Sequence, residues 1–594
     1  MPIRNFRAVI IIAALLLGAC NEDLAPGAAG GADTAGPPGS TSAAATAIAP
    51  LAVVPPGPAT LVAPVAVMVM STTEAQAVRF LNQASFGANS SSINTVVTSG
   101  IGAWINTQFS LPQTSHRDSV SGLKARLGVG EILNEEHFFE SFWKQAIEGE
   151  DQLRQRVVYA LSQIFVISLQ ESEIGDHPIL AASYLDMLGE QAFGNFRTML
   201  EAVSLHPAMG IYLSSLHNQK ESATRAPDEN YGREVMQLMS IGLFELNPDG
   251  SQKLVNGAPV ETYSSADISG MAKVFTGWSW AGPDRSANRF VGDFENPERE
   301  WQLMQGYPQY HSTSIKNFLG TSVPAQGTPD PAASLKVALD RLFAHPNVGP
   351  FIGRQLIQRL VTSNPSPAYV ERVAAAFANN GQGVRGDMKA VIRTILLDPE
   401  ARSDSTIAAV NTGKLREPVL RLSGWMRAFE ARSASGRFLI GNTDDAIDSI
   451  GQSPLRAASV FNFYRPGYVP PNTSIANANL VAPEMQITGD SSVVGYLNTM
   501  QDAVSNGIGR DGDIKSDYAT EIHLAETPDK LVDRVNLMLL ANQMSSALRA
   551  RIVAAVNSVP VPTGDVAAAA EARKNRVWLS VYLALASPEY LVQK

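Results

Sequence analysis

Cysteine is nearly absent. Cys20 is the only one in the 594-residue chain, which excludes an internal disulfide and a cysteine-based metal centre. Clustered lysine and arginine are missing as well. A net charge of −10 without a basic tract argues against nucleic acid as a partner, because phosphates are neutralised by grouped cations. The compact catalytic signatures are not there: no His-Glu-x-x-His, no Walker loop, no Gly-x-Gly-x-x-Gly between strand and helix, no Gly-x-Ser-x-Gly. The apolar runs at residues 8–17 and 61–70, the second broken by Pro64, are too short to span a bilayer.

What remains is ordinary globular composition, 45% hydrophobic and 17% charged, on a chain long enough for a large core. Its first residues read as an address. Arg4 and Arg7 precede the apolar run, which ends in Leu17-Gly18-Ala19-Cys20. This resembles a bacterial lipobox and assigns 1–19 as a signal peptide, with Cys20 the lipidated N-terminus of the mature protein. Several acyl chains on one residue anchor stably where one chain does not. Asn21, where an aspartate would signal inner-membrane retention, points to the outer membrane. Residues 20–72, rich in Ala, Pro, Gly and Ser, cannot bury enough apolar surface to offset ordering and read as a flexible tether.

From residue 73 the pattern is helical, and the expected fold is all-α over 73–594, with lobes at 73–278 and 332–594 flanking a long irregular loop at 279–331. The clearest helix begins near Asp151, where Leu153, Val157, Ala160, Leu161, Ile164 and Phe165 form one stripe and Arg154 and Arg156 fall off it. A small β-hairpin is expected between residues 252–254 and 260–263, and a helix over 414–429. The long loop carries Trp280, Trp301 and His311 and suits a lid or binding loop. Trp278, Trp280 and Trp301 fit either stacking on sugar rings or anchoring of that loop.

A corner recurs. Leu200 to Gly210 matches Leu339 to Gly349 position for position, each with His-Pro at its centre, and Asp398-Pro399 and Ser587-Pro588 repeat the shorter form; His177-Pro178 is a further instance. Proline disfavours helix in the residue before it and fits the first turn of a new helix, so each unit reads as helix, break, helix. Because Asp and Ser fill the slot of His206 and His345, capping or packing outweighs metal ligation there, and no metal centre is assigned.

Residues 205–246 hold the densest set of groups able to bind or transfer protons. His217, Asn218 and Lys220 lie in a polar loop, and Glu229, Asn230, Arg233 and Glu234 open a helix on which Glu229 and Arg233 align at i, i+4. With His311 these are the candidate catalytic or binding residues. Either carboxylate can serve as a general base if desolvation raises its pKa; the other reading is a solvated helix face.

Arg79-Phe-Leu-Asn-Gln-Ala-Ser-Phe-Gly87, Gln152-Leu-Arg-Gln-Arg156, His206-Pro-Ala-Met-Gly210, Asp228-Glu-Asn-Tyr-Gly-Arg-Glu234, Phe275-Thr-Gly-Trp278, Gly413-Lys-Leu-Arg-Glu-Pro418, Phe461-Asn-Phe-Tyr464 and Pro483-Glu484 together resemble the bacterial family called domain of unknown function 1800. The resemblance implies an exported protein of unassigned activity, often encoded beside a phosphatase- or sulfatase-like family numbered 1501, which is the expected partner besides the membrane. It also implies an acidic residue after His311, where this chain has Ser312. Two readings stand: a cell-envelope lipoprotein that binds a partner or polymer within an exported assembly, or a hydrolase-like enzyme using the Glu229, Asn230, Arg233, Glu234 cluster with loop His and Lys. No cofactor follows from either.

Overall fold

A computed structural model describes residues 72–292, 296–409 and 411–594; Cys20, the signal peptide and the tether lie outside the described residues. Helix accounts for 54% and strand for 6%, and the strands occur as five two-stranded ladders among the described residues, so the fold is all-α. Thr72–Lys594 forms one compact unit.

The hub is the helix Gln152–Ser162. Helices Glu74–Ala84, Ile101–Ser110, Glu135–Glu148, Pro178–Gln191 and Val348–Leu360 pack around it, and every residue of it except Arg154 is buried. The apolar stripe is core, as its spacing implies. Arg156, off the stripe, is nevertheless fully enclosed, because a helix surrounded on all sides has no solvated face. Glu74–Ala84 begins at a Thr73 cap reciprocated by Gln76 and packs against the late helix Pro528–Leu540. Gly87 follows it with a φ of +133°, and a Cβ there would stand 2.7 Å from the Cα of Gly424. The glycine thus allows both the turn and the close approach of helix Pro418–Ala428.

Three of the repeated corners are caps, and the fourth is a turn held by the same kind of bond. The His206 ring accepts from Ala208 N–H at 3.2 Å, His345 from Asn347 N–H at 3.2 Å, Asp398 from Glu400 N–H at 2.9 Å and Ser587 from Tyr590 N–H at 3.2 Å. At His206, Asp398 and Ser587 the bond occupies an otherwise orphaned helix donor; at His345 it closes a turn before the helix Val348–Leu360, whose cap position is Asn347. His177 precedes its proline in the same way, but its ring turns to Glu300 at 3.0 Å instead. Burial holds His206 at about 3, far below its ordinary 6.5, so the folded chain binds that proton less readily than the unfolded chain. The stability this represents is complete above pH 6.5 and is lost as pH falls toward 3; at pH 5 the loss is about 2 kcal/mol. We expect His206→Asn, which keeps a capping oxygen, to lose less stability than the parent between pH 7 and pH 5 in urea unfolding. An unchanged difference would remove His206 from the acid response.

Three expectations shift in detail. The hairpin is centred on Asn256-Gly257, both at positive φ, joining Leu254–Val255 to Ala258–Pro259, a type I′ arrangement that this dipeptide favours. Lys414–Leu415 is not helical but pairs with Val592–Gln593; Pro418 keeps Glu417 extended, and the helix starts at the proline. Residues 279–292 and 296–331 are pinned, not open. Trp278–Ser279 pairs with Gln305–Gly306, the Tyr307 hydroxyl donates to Trp280 O at 2.6 Å, and Phe290 stacks on Tyr310 at 3.8 Å. Trp278 and Trp280 are buried and anchor the segment.

Candidate functional site

The sequence candidates occupy separate settings. Asn218 clamps its own loop: its side chain donates to Asp228 O at 3.1 Å and accepts from Asp228 N–H at 2.9 Å. His217 sits at a φ of +66° with its ring 5.8 Å from that of Phe290, and burial lowers its pKa. Lys220 N–H reaches Tyr310 O at 2.8 Å. His311 is fully buried, bonded through Nδ1 to Thr276 O at 2.7 Å and through Nε2 to the Ser334 hydroxyl at 3.0 Å. Ser312 and Ser314 both donate to the Glu221 carboxylate. The loop and the His311 segment are therefore neighbours joined by backbone bonds. On the helix Asn230–Gln237, Glu229 accepts from Ser269 at 2.6 Å and meets Arg233 at 3.5 Å with both side chains more than two-fifths exposed, a pair worth at most about 0.5 kcal/mol. Asn230 is exposed, whereas Glu234 is buried and burial raises its pKa. None of these eight side chains lines the pocket described next.

The largest concentration of buried charge lies elsewhere, where the hub helix meets Val348–Leu360 and the segment 414–484. Lys414 Nζ stands 3.1 Å from Glu484 and 3.5 Å from Glu417, all three side chains at most 2% exposed, and it donates to Arg359 O at 2.9 Å. One Glu417 oxygen accepts from the Tyr159 hydroxyl at 3.0 Å, from Gln452 at 3.0 Å and from Gln163. Arg156 donates to Arg359 O at 2.6 Å. Burial pushes Glu417 up, but the charges of Lys414 and Arg156 and the amides of Gln452 and Gln163 outweigh it and hold the group below its usual range. For Glu484 burial dominates over Lys414, and its pKa is raised. Burial likewise lowers Arg156 and Arg359. The carboxylates are thus driven apart, Glu417 toward the anion and Glu484 toward the acid.

This network backs a pocket of about 400 Å³. Gln163 and Arg359 belong to both, Gln358 lines the pocket beside them, and each is at most 5% exposed. Leu238, Leu246, Phe351, Val460 and Phe461 line its walls, and Arg354 and Arg465 its edge. Gln358 gives its amide hydrogens to Ser363 O at 3.0 Å and Pro466 O at 3.1 Å, and Gln163 gives its own to Glu417. Both partners are acceptors only, so the amide orientations follow. That leaves Gln163 Oε1, Gln358 Oε1 and Arg359 Nε buried with no hydrogen-bond partner. Buried polar atoms are rarely left unpaired, since each costs roughly 1–3 kcal/mol. A mostly apolar concavity with a few polar side chains in its lining is what a ligand site requires.

The helix that carries Glu229 and Glu234 does reach this pocket, but through Gln237 and Leu238 at its other end, followed by Gly242, Leu243 and Leu246. Four residues of the buried network stand in the quoted motifs, Arg156 in Gln152 to Arg156, Lys414 and Glu417 in Gly413 to Pro418, and Glu484 in Pro483-Glu484, whereas Tyr159, Gln163, Arg359 and Gln452 stand in none. Cationic and acidic side chains inside apolar surroundings were the available signal; their convergence across three hundred residues was not.

Fold and pocket define an all-α protein whose core carries a buried charge centre opening onto a ligand-sized cavity. The chain belongs to the family described as a protein of unknown function, DUF1800, whose model matches residues 79–592. No curated protein and no solved structure matches it.

Proposed function

We propose that the protein is an envelope lipoprotein that holds a polymer or partner segment in the pocket between Val348–Leu360 and residues 460–467, as a binding component of an exported assembly. The observation that carries this is the pocket itself, about 400 Å³ walled by Leu238, Leu246, Phe351, Val460 and Phe461 with Arg354 and Arg465 at its edge, over a floor in which Gln163 and Arg359 are bonded to the charge network behind them. Preorganised groups bind with less loss of side-chain freedom. The lipobox-like Leu17-Gly18-Ala19-Cys20 and the tether supply attachment, with the outer membrane as destination. A hydrolase centred on Glu229, Asn230, Arg233 and Glu234 needs those groups and the loop His and Lys around one cleft, and the helix start, the Asn218 clamp and the His311 core are three different environments.

Both halves of the proposal are testable on the full-length chain in detergent. Defined envelope-polymer fragments, neutral and acidic oligosaccharides and short peptides, are titrated against immobilised protein. At least one class binds, and Phe461→Ala, which removes a wall of the pocket, weakens it about tenfold, or ~1.4 kcal/mol. Binding by none, or binding indifferent to Phe461→Ala, refutes the pocket. Cys20→Ala shifts the protein from the membrane to the soluble fraction; continued membrane attachment refutes the anchor.

A further inference from the structure

Two polar groups within reach of a ligand come from one helix face. Along Val348–Leu360, Phe351, Arg354, Gln355 and Gln358 recur at intervals of three and four and line the pocket together, as residues on one helical stripe do. Gln355 is 7% exposed and makes no side-chain hydrogen bond among the described residues. Unlike the amide oxygen of Gln358, its amide atoms are not sealed from solvent, so the group is enclosed, unpartnered and accessible from the pocket it lines. Arg354 forms no ion pair among the described residues. Its side chain is exposed, yet neighbouring atoms lower its pKa by desolvation and no carboxylate raises it.

Charge around the cavity has one sign. The lining holds Arg354, Arg359 and Arg465 and no aspartate or glutamate, in a chain whose net charge is −10. Arg465, also exposed, lies 4.5 Å over the Phe461 ring, a contact that holds a cation in place without neutralising it. The walls are aliphatic in the main, with Ile164, Leu238, Leu243, Leu246 and Val460.

These groups select by exclusion. A side-chain amide offers hydrogens and an acceptor together, and a hydrocarbon tail would bury it unmet. A saccharide carries hydroxyls on every side, and those set against Leu238, Leu246 and Val460 would lose water without gaining a partner. An extended peptide separates the two chemistries: N–H and C=O lie along the backbone, and side chains leave it to alternate faces about every 3.3 Å. Its backbone matches Gln355 while its apolar side chains meet the walls, and the arginines add the requirement for an acid.

We propose that the pocket holds an extended peptide segment of a partner protein, rich in aliphatic side chains and carrying an aspartate or glutamate, its backbone paired with the Gln355 amide and its carboxylate with Arg354 and Arg465. The inference rests on the pocket-binding reading above and names the occupant. No bond is made or broken.

The full-length chain in detergent is applied to an array of random decapeptides, acetylated and amidated so that no terminal charge competes. Bound sequences are enriched in Leu, Ile or Val together with Asp or Glu, and depleted in Lys and Arg. For the strongest binder, measured by fluorescence anisotropy, exchanging its acid for the amide weakens binding roughly fivefold, the scale of an exposed ion pair, and added salt narrows the gap because exposed charges are screened. Arg354→Gln with Arg465→Gln removes the preference for the acid. Gln355→Met keeps the length of the side chain without its amide and weakens the same peptide roughly fivefold, the scale of one neutral hydrogen bond. Its urea midpoint is no lower than the parent's, since no internal hydrogen bond is lost; a lower midpoint makes Gln355 structural and overturns its role here. An empty array, enrichment in basic residues or without an acid, or affinity indifferent to the acid-to-amide exchange or to Gln355→Met overturns the proposal. An oligosaccharide bound in dependence on Phe461 while the array stays empty leaves the pocket reading standing. If no probe depends on Phe461, both readings fall.

Discussion

Lys414→Met is expected to cost roughly 3–5 kcal/mol of unfolding free energy, the range for breaking a buried ion pair from one side. Methionine matches the stem of the lysine, so the packing loss is small and the electrostatic loss is isolated. In the parent, Nζ lies between Glu417 and Glu484, 3.5 Å and 3.1 Å away, and all three side chains are out of water. Without the cation two carboxyl groups share an enclosed space, and at neutral pH at least one must take up a proton or remain an uncompensated charge. The sign with pH follows. In the parent, Glu417 is held below its usual range, so its contribution is present above the unfolded carboxyl value and lost as pH falls through the folded one. In the variant both groups are raised, and protonation relieves them. The gap between variant and parent, measured as urea midpoints, is therefore largest near pH 7 and narrows below pH 5. Adding Glu484→Gln to Lys414→Met recovers part of the loss, because neighbouring effects of this kind do not add. A variant as stable as its parent at pH 7 would mean that the network is not electrostatically closed, and the rigidity assigned to the pocket floor would go with it.

Gly270→Ala is expected to destabilise at or beyond the upper end of roughly 1–3 kcal/mol, the usual cost of overpacking. Helix propensity alone gives the opposite sign, since alanine is favoured over glycine by about 1 kcal/mol in a helix interior. Gly270 lies in the helix Ser265–Val274, which packs on the strand Lys316–Phe318. A Cβ at this position would stand 1.7 Å from the carbonyl oxygen of Asn317. The obstacle is backbone, so it cannot be cleared by a rotamer change, and the strand must move away from the helix. Gly102 provides the control. It is also helical, in Ile101–Ser110, and nothing lies within 4 Å of its Cβ position, so Gly102→Ala is expected to gain about 0.4–1 kcal/mol. Thermal unfolding of the two variants should move in opposite directions. A Gly270→Ala protein with an unchanged or higher midpoint would refute the close helix–strand contact.

Much of the architecture was legible residue by residue. The all-α class and the apolar stripe of the helix near Asp151 followed from spacing, and the corners at His206, His345, Asp398 and Ser587 followed from the proline that succeeds each. The hub helix was legible only in part. Its stripe was read correctly, yet Arg156 was placed off the core, because periodicity reports one apolar face and cannot show that other helices cover the rest. Lys414 and Glu417 were read as part of a helix; Pro418 was the signal against it. Among the candidate residues, the density of polar groups at 217–234 marked a well-bonded loop and helix start, while the pocket drew on the far end of the same helix.

By itself the sequence determined what depends on residues within a few positions of one another: helices, their breaks, and the all-α class. The pocket and its charge centre were decided by the tertiary structure. They join Arg156 and Gln163 to Arg359, Lys414, Glu417 and Glu484, and a buried ion is stabilised only by partners at hydrogen-bond distance, which here come from segments far apart in the chain. Local pattern sees each of those side chains as a charge that ought to face water. The fold, by surrounding them with one another, makes them interior.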